Sequence, residues 1–214
     1  MFWLDFTKFL ATMSLLFFVA GLAYHYYKTK RLKSVSDFSL PKGSDKIGVI
    51  YAFTIGMLPW VKESTRKHWI AYTRGVIFHI GIFTAIAVLI LKLLNIEINS
   101  SLIKLFATIV GIGAVVGFVG IVLRIIEKNL REISTFDDFI STFLVSLYLA
   151  ATTFALINVK FDPLMYVISS FTLIYAPLGK IRHCLYFFFS RFFFGIHLGR
   201  RGIVHKHTEV IYGG

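Results

Sequence analysis

The sequence predicts an all-α integral membrane protein with five transmembrane helices in a single domain, residues 1–214, and three observations carry that prediction. First, 57% of the residues are hydrophobic and only 16% are charged, whereas a soluble domain carries about 25% charge. Second, five apolar stretches, at about 9–27, 75–94, 106–126, 139–159 and 164–188, are long enough to cross a ~30 Å hydrocarbon core as helices. Third, the basic residues gather in alternate connections instead of spreading along the chain.

The first stretch has neither a basic leader nor a small-residue cleavage site, so it is expected to stay as a helix. The apolar piece at about 47–60 is too short to span and ends in Pro59 and Trp60, which suits an interfacial or re-entrant segment. The second stretch carries His79. In the third, GIGAVVGFVG at 111–120 is not a dinucleotide fingerprint, because Val116 takes the place of its third glycine. Gly113, Gly117 and Gly120 do fall along one helix face, which admits close approach of another helix or of a flat macrocycle. The fifth stretch contains Pro177, expected to kink or break it. The sequence CLYFFFSRFFFG at 184–195 reads as an aromatic anchor where that helix leaves the bilayer, with Cys184 a packed thiol.

Loop charges predict the orientation. The first connection holds Lys28, Lys30, Arg31, Lys33, Lys42, Lys46, Lys62, Arg66, Lys67 and Arg74, whereas 95–101 has Glu97 and no basic residue. Arg124, Lys128 and Arg131 mark the third connection, Lys160 alone the fourth, and Arg191, Arg200, Arg201 and Lys206 the tail. The positive-inside rule then places loops one and three and the C-terminus in the cytoplasm and the N-terminus outside. The net charge of +12 sits in blocks beside the spans, which argues for membrane topology and against nucleic acid. One cysteine excludes an internal disulfide, a four-thiolate iron–sulfur cluster and a C-x-x-C-H haem attachment on this chain.

Helices two and five are antiparallel in this topology, with His79 and His183 both near the cytoplasmic end. Two histidines at one depth suit bis-histidine haem ligation, each imidazole giving a neutral nitrogen to one face of the iron. A hydrogen bond across helices is the ordinary alternative, and a zinc site lacks the further close ligands it needs. His68 precedes His79 by eleven residues and His197 follows His183 by fourteen. At helical spacing these are about three and four turns, so His68 and His197 form a second candidate haem pair nearer the cytoplasm; otherwise they belong to solvated basic flanks. Gly195 and Gly199 around His197 are expected to weaken a long helical extension there. His25 reads as an interface residue, and His205 with His207 as a weak metal motif near the chain end. Arg74, Arg124, Lys180 and Arg182 stand at cytoplasmic span ends, either as anchors or as partners of haem propionates.

The order of helices and histidines resembles the gamma subunit of respiratory nitrate reductase, a five-helix cytochrome b. The resemblance covers most of the chain and rests on FHIG at 78–81, the glycine-rich helix ending in GIGAVVGFVGIVLR at 111–124, and GKIRH at 179–183. The stretch MLPWVKESTRKHW at 57–69 is more similar to the branch whose members pair with heterodisulfide-reductase-like iron–sulfur proteins. This resemblance implies that His79 and His183 ligate the haem b nearer the cytoplasm. The family's outer ligand positions fall here on Leu89 and Met165, so an outer haem and the quinol site beside it do not carry over. One haem b is expected, or two if His68 and His197 hold another.

The expectation is therefore a multi-pass subunit of the inner (cytoplasmic) membrane within a hetero-oligomer. It would exchange electrons between quinone or quinol and a cytoplasmic-side iron–sulfur or related redox subunit, with no substrate chemistry of its own beyond quinone redox. Its other partner is membrane lipid. The alternative is a cofactor-free membrane anchor or assembly subunit; a transporter is disfavoured by five unlike helices without a repeat.

Overall fold

The computed structural model describes residues 2–32, 39–61 and 63–204, and every regular element within them is helical. In chain order these are α1 (Phe2–Lys30), α2 (Asp45–Phe53), α3 (Glu63–Lys67), α4 (Trp69–Leu93), α5 (Ser100–Ile126), α6 (Lys128–Ile133), α7 (Phe136–Ile157), α8 (Asp162–Tyr175) and α9 (His183–Arg200). Among the described residues four helices, α1, α4, α5 and α7, are long and apolar enough to cross a membrane; the bent pair formed by α8 and α9 makes a fifth candidate. The loop cations Lys33, Lys62 and Lys206 lie outside the described residues.

The helix ends follow local chemistry. Asn99 caps α5 by accepting the Ser101 N–H at 2.9 Å, satisfying one of the donors a helix start leaves over. Asp138 reaches back to the Thr135 N–H at 2.8 Å before α7, a reciprocal cap. Asn95 adopts φ +55° just past α4, a left-handed conformation that asparagine tolerates better than most residues. Gly202 at φ +67° ends α9 in the same way.

The expected fifth span at 164–188 is not one helix. α8 stops at Tyr175, Pro177 occupies the break, a short 3-10 turn covers Lys180–Arg182, and a separate helix starts at His183. Proline has no N–H to continue the ladder and its ring obstructs the preceding turn. His183 is therefore the first residue of a new helix and not the last turn of a span.

The chain forms two compact units, 1–25 with 73–182, and 26–72 with 183–214. In the first, α4, α5, α7 and α8 share a core of Ala85, Leu89, Val110, Ala114, Leu149 and Met165, with Ala11 of α1 joined to it. Small residues set the closest approaches. A β-carbon at Gly81 of α4 would stand 3.1 Å from the Gly113 Cα of α5. One at Gly117 would meet the Ser146 hydroxyl and, at 2.5 Å, the Phe78 ring. Tyr148 of α7, buried, donates its hydroxyl to the Ala85 carbonyl at 2.7 Å; an unpartnered phenol in that core would be costly.

In the second unit, α2 packs along α9. β-carbons at Gly195 and Gly48 would come within 2.6 Å of the Val49 and Gly199 Cα atoms, respectively. Gly195 and Gly199 thus do not weaken α9: the helix runs through both to Arg200, and the glycines are where α2 lies on it. The propensity cost of glycine is outweighed by this backbone contact.

Candidate functional site

His79 occupies an outward-facing turn of α4 in the first unit, next to Phe78, whose ring is turned inward onto Gly117. Its Nδ1 lies 2.7 Å from the Gly75 carbonyl, one turn back along the helix. A carbonyl only accepts, so Nδ1 carries the proton and the in-plane lone pair belongs to Nε2. The neighbouring Phe83 ring, 6.5 Å away between centroids, flanks the imidazole.

The helix pair that touches at Gly81–Gly113 and Phe78–Gly117 is open farther along. Among the described residues, a β-carbon at Gly75 or at Gly120 would meet nothing within 4 Å, although both residues are only partly exposed. The three glycines of the α5 face thereby separate: Gly113 and Gly117 serve helix packing, and Gly120 borders free space.

Farther along α4 the helix is packed around Leu89. Leu89 is 1% exposed and Met165 is 0% exposed, each within the packed core. Beyond them lies a cavity of about 320 Å³ lined by Asp5, Lys8, Lys92, Glu97, Asp162 and Tyr166. Lys92 bonds Asp162 at 2.6 Å with both side chains mostly buried, and also reaches the Ala155 carbonyl at 3.3 Å. Only the fold brings these residues, 70 positions apart, into one pair.

The remaining candidates are distributed as follows. His183 opens α9 in the second unit and is exposed. His68 stands just before α4, its carbonyl accepting the Tyr72 N–H at 3.1 Å, and His197 sits late in α9; both are exposed and both belong to the second unit. His205 and His207 lie outside the described residues. His25 bonds the Pro177 carbonyl through Nε2 at 2.9 Å, so it ties α1 to the break after α8, where helical acceptors are left over. A β-carbon on Gly21, one turn earlier, would stand 2.6 Å from Pro177 Cβ.

Of the four basic candidates, Lys180 pairs with Asp138 at 2.6 Å and Arg124 donates to the Ser134 hydroxyl at 3.0 Å. Arg74 is half-buried on α4 and Arg182 is exposed at the end of the 3-10 turn. Tyr175 donates to Asp137 beside the Lys180–Asp138 pair, clamping the start of α7 to the end of α8. Among the described residues no three His, Cys, Asp or Glu side chains cluster to hold a metal ion. Compared with known protein families, curated proteins and solved structures, the chain has no match.

Proposed function

We propose that this chain is the haem b-carrying membrane subunit of a respiratory oxidoreductase, of the type resembling the nitrate reductase gamma subunit. It would pass electrons between quinone or quinol and an iron–sulfur or related redox subunit on the cytoplasmic side. The observation that carries the reading is the Nδ1–H bond of His79 to the Gly75 carbonyl. That bond would fix the tautomer and the ring orientation and leave Nε2 as the ligand nitrogen, as hydrogen bonds behind a ligating imidazole do at haem and metal sites. The room beside Gly75 and Gly120 supports it, since a flat ring needs helices that stand apart where it enters.

In this reading His79 and His183 would hold the haem, each through one ring nitrogen. Bound there, the haem would supply a one-electron carrier whose potential depends on burial and axial ligation. The chain's own part is to hold the imidazoles, exclude water, and offer Arg74 and Arg182 to the propionates. Leu89 and Met165, where the resemblance puts the family's outer ligands, are buried core residues without an imidazole, and the proposal is for one haem. The positive-inside pattern supports a cytoplasmic basic face, an outer N-terminus and residence in the inner membrane.

The test is the purified chain itself. A red protein with a reduced-minus-oxidised haem b spectrum and about one haem per chain by pyridine haemochrome is expected. A colourless, correctly inserted protein would leave the anchor or assembly reading standing. A ratio near two that drops to one in His68→Ala would move His68 and His197 into the ligand set.

A further inference from the structure

The charge of this molecule is unevenly divided between its two compact units. Thirteen of the 23 basic residues but only four of the 11 acidic ones fall within 26–72 and 183–214, so that unit carries +9 of the chain's +12. Hydropathy divides the same way. The charge-free windows of 17–21 residues are 9–27, 75–91, 105–123, 139–159 and 163–179. Except for residues 26 and 27, all of them belong to the other unit. In the basic unit the longest such window is 47–61, which contains Pro59 and falls short of the ~17–25 residues a spanning helix needs.

The basic unit is nevertheless rich in exposed apolar side chains. With Gly48, Gly195 and Gly199 committed to the contact between α2 and α9, Ile50 is 64% exposed on one helix and Phe193 71% exposed on the other. Phe188 and Phe192 are exposed as well, and Arg191 stands between the two phenylalanine triplets in the middle of α9. A helix with an arginine at its centre and aromatic residues on both sides of it belongs at the headgroup level, where the ring lies in the acyl boundary and the guanidinium in water. Lys42, Lys46 and Arg201 are exposed near the ends of the same two helices. α1 and α4 each run from one unit into the other as a continuous helix.

We propose that the α2–α9 pair is an interfacial platform that lies on the bilayer and selects anionic phospholipid. Its exposed isoleucine and phenylalanine side chains enter the acyl boundary, and Lys42, Lys46, Arg191 and Arg201 meet the lipid phosphates. The last membrane crossing then ends near Lys180, and α9 lies along the surface instead of completing a span. Lipid is favoured over a protein partner because the unit is continuous with spanning helices and couples a basic surplus to exposed aromatic rings, the composition of interfacial helices.

The experiment uses the full chain in nanodiscs, in a Cys184→Ser background, with a spin label at Ile50→Cys or Phe193→Cys. Both sites are exposed, so the labels leave the packing intact. In phosphatidylcholine mixed with phosphatidylglycerol, both labels are expected to be accessible to oxygen and shielded from a water-soluble nickel chelate. In phosphatidylcholine alone the chelate should reach them. A K42Q/K46Q/R201Q variant should require far more phosphatidylglycerol for the same shielding, since each basic residue near an anionic surface is worth about a fivefold change in affinity. Equal access of the chelate in both lipids would overturn the proposal. So would shielding that ignores lipid charge, or shielding that arises only when a protein partner is added.

Discussion

Two stretches of α4, both within the first unit, are built in opposite ways. Around Ala85, Val88 and Leu89 the helix is sealed: each of these residues is at most 1% exposed, and Tyr148 donates a hydrogen bond into its backbone. Around Gly75 and His79 the helix is open, with nothing within 4 Å of a β-carbon at Gly75 and with the imidazole on the outward face. The same 25-residue helix thus meets side chains at one end and leaves room at the other. The only ionisable side chain inside the 75–91 window is His79, and a membrane-embedded ionisable group points to function when it has a defined partner.

The largest expected effect breaks the open end. His79→Ala should abolish the reduced-minus-oxidised haem signal per mole of inserted chain, whereas His25→Ala should keep it. The two differ because His25 bonds the Pro177 carbonyl through Nε2, whereas the bond His79 makes within its own helix is through Nδ1. Full haem content in His79→Ala would falsify the ligand assignment. If both variants lose the signal alike, the loss reports general misfolding and the contrast between the two histidines fails.

At the sealed end the expected effect is on stability. Leu89→Ala removes a side chain that is 1% exposed among Leu149, Val110 and Met165. Cavity-forming substitutions of this kind cost about 2–5 kcal/mol. Denaturant unfolding in mixed micelles measures it, and the haem spectrum should stay in place. A cost below about 1 kcal/mol, less than a typical large-to-small core change, would mean that this end of α4 is less tightly packed than its burial indicates.

The long helices were legible in the sequence: window length anticipated α1, α4, α5 and α7, whereas the contrast between the two stretches of α4 was not. The break at Pro177 was visible as a proline but its extent was not, because where a helix resumes depends on tertiary contacts such as His25 to Pro177 and Gly179 under the Tyr175 ring. Gly195 and Gly199 were read by intrinsic propensity, yet their meaning lay in α2, more than 140 residues earlier in the chain. The Lys92–Asp162 pair and the Tyr148 hydroxyl bond were hidden for the same reason. Local pattern reports the period of a helix; it does not report which distant residue faces it. At the candidate site, the histidines were legible as residue types within or beside apolar stretches, whereas the carbonyl that selects the His79 tautomer was not.

Between the two ends, Gly117→Ala tests how the helices are held together at the threshold of the open region. The added methyl would collide with the Ser146 hydroxyl and stand 2.5 Å from the Phe78 ring. Overpacking of this kind costs about 1–3 kcal/mol. Ser146→Ala should relieve part of it in the double variant, and Phe78 should account for the remainder. Full additivity of the two changes would show that Gly117 and Ser146 do not share one contact.

The smallest effect on stability, and the one that sharpens the comparison most, is expected from Gly120→Ala. It lies on the same α5 face as Gly113 and Gly117, but a β-carbon there would meet nothing within 4 Å. Glycine in a helix interior is worse than alanine by about 1 kcal/mol, so the haem-free chain should gain up to that amount in unfolding free energy. If a flat ring enters beside Gly120, the same methyl should lower haem content or weaken haem retention on dilution. Stability and haem occupancy would then move in opposite directions for a single methyl group, which general damage to the fold does not produce. A gain in stability with haem occupancy unchanged would assign the space at Gly120 to lipid and leave His79 to be tested without it.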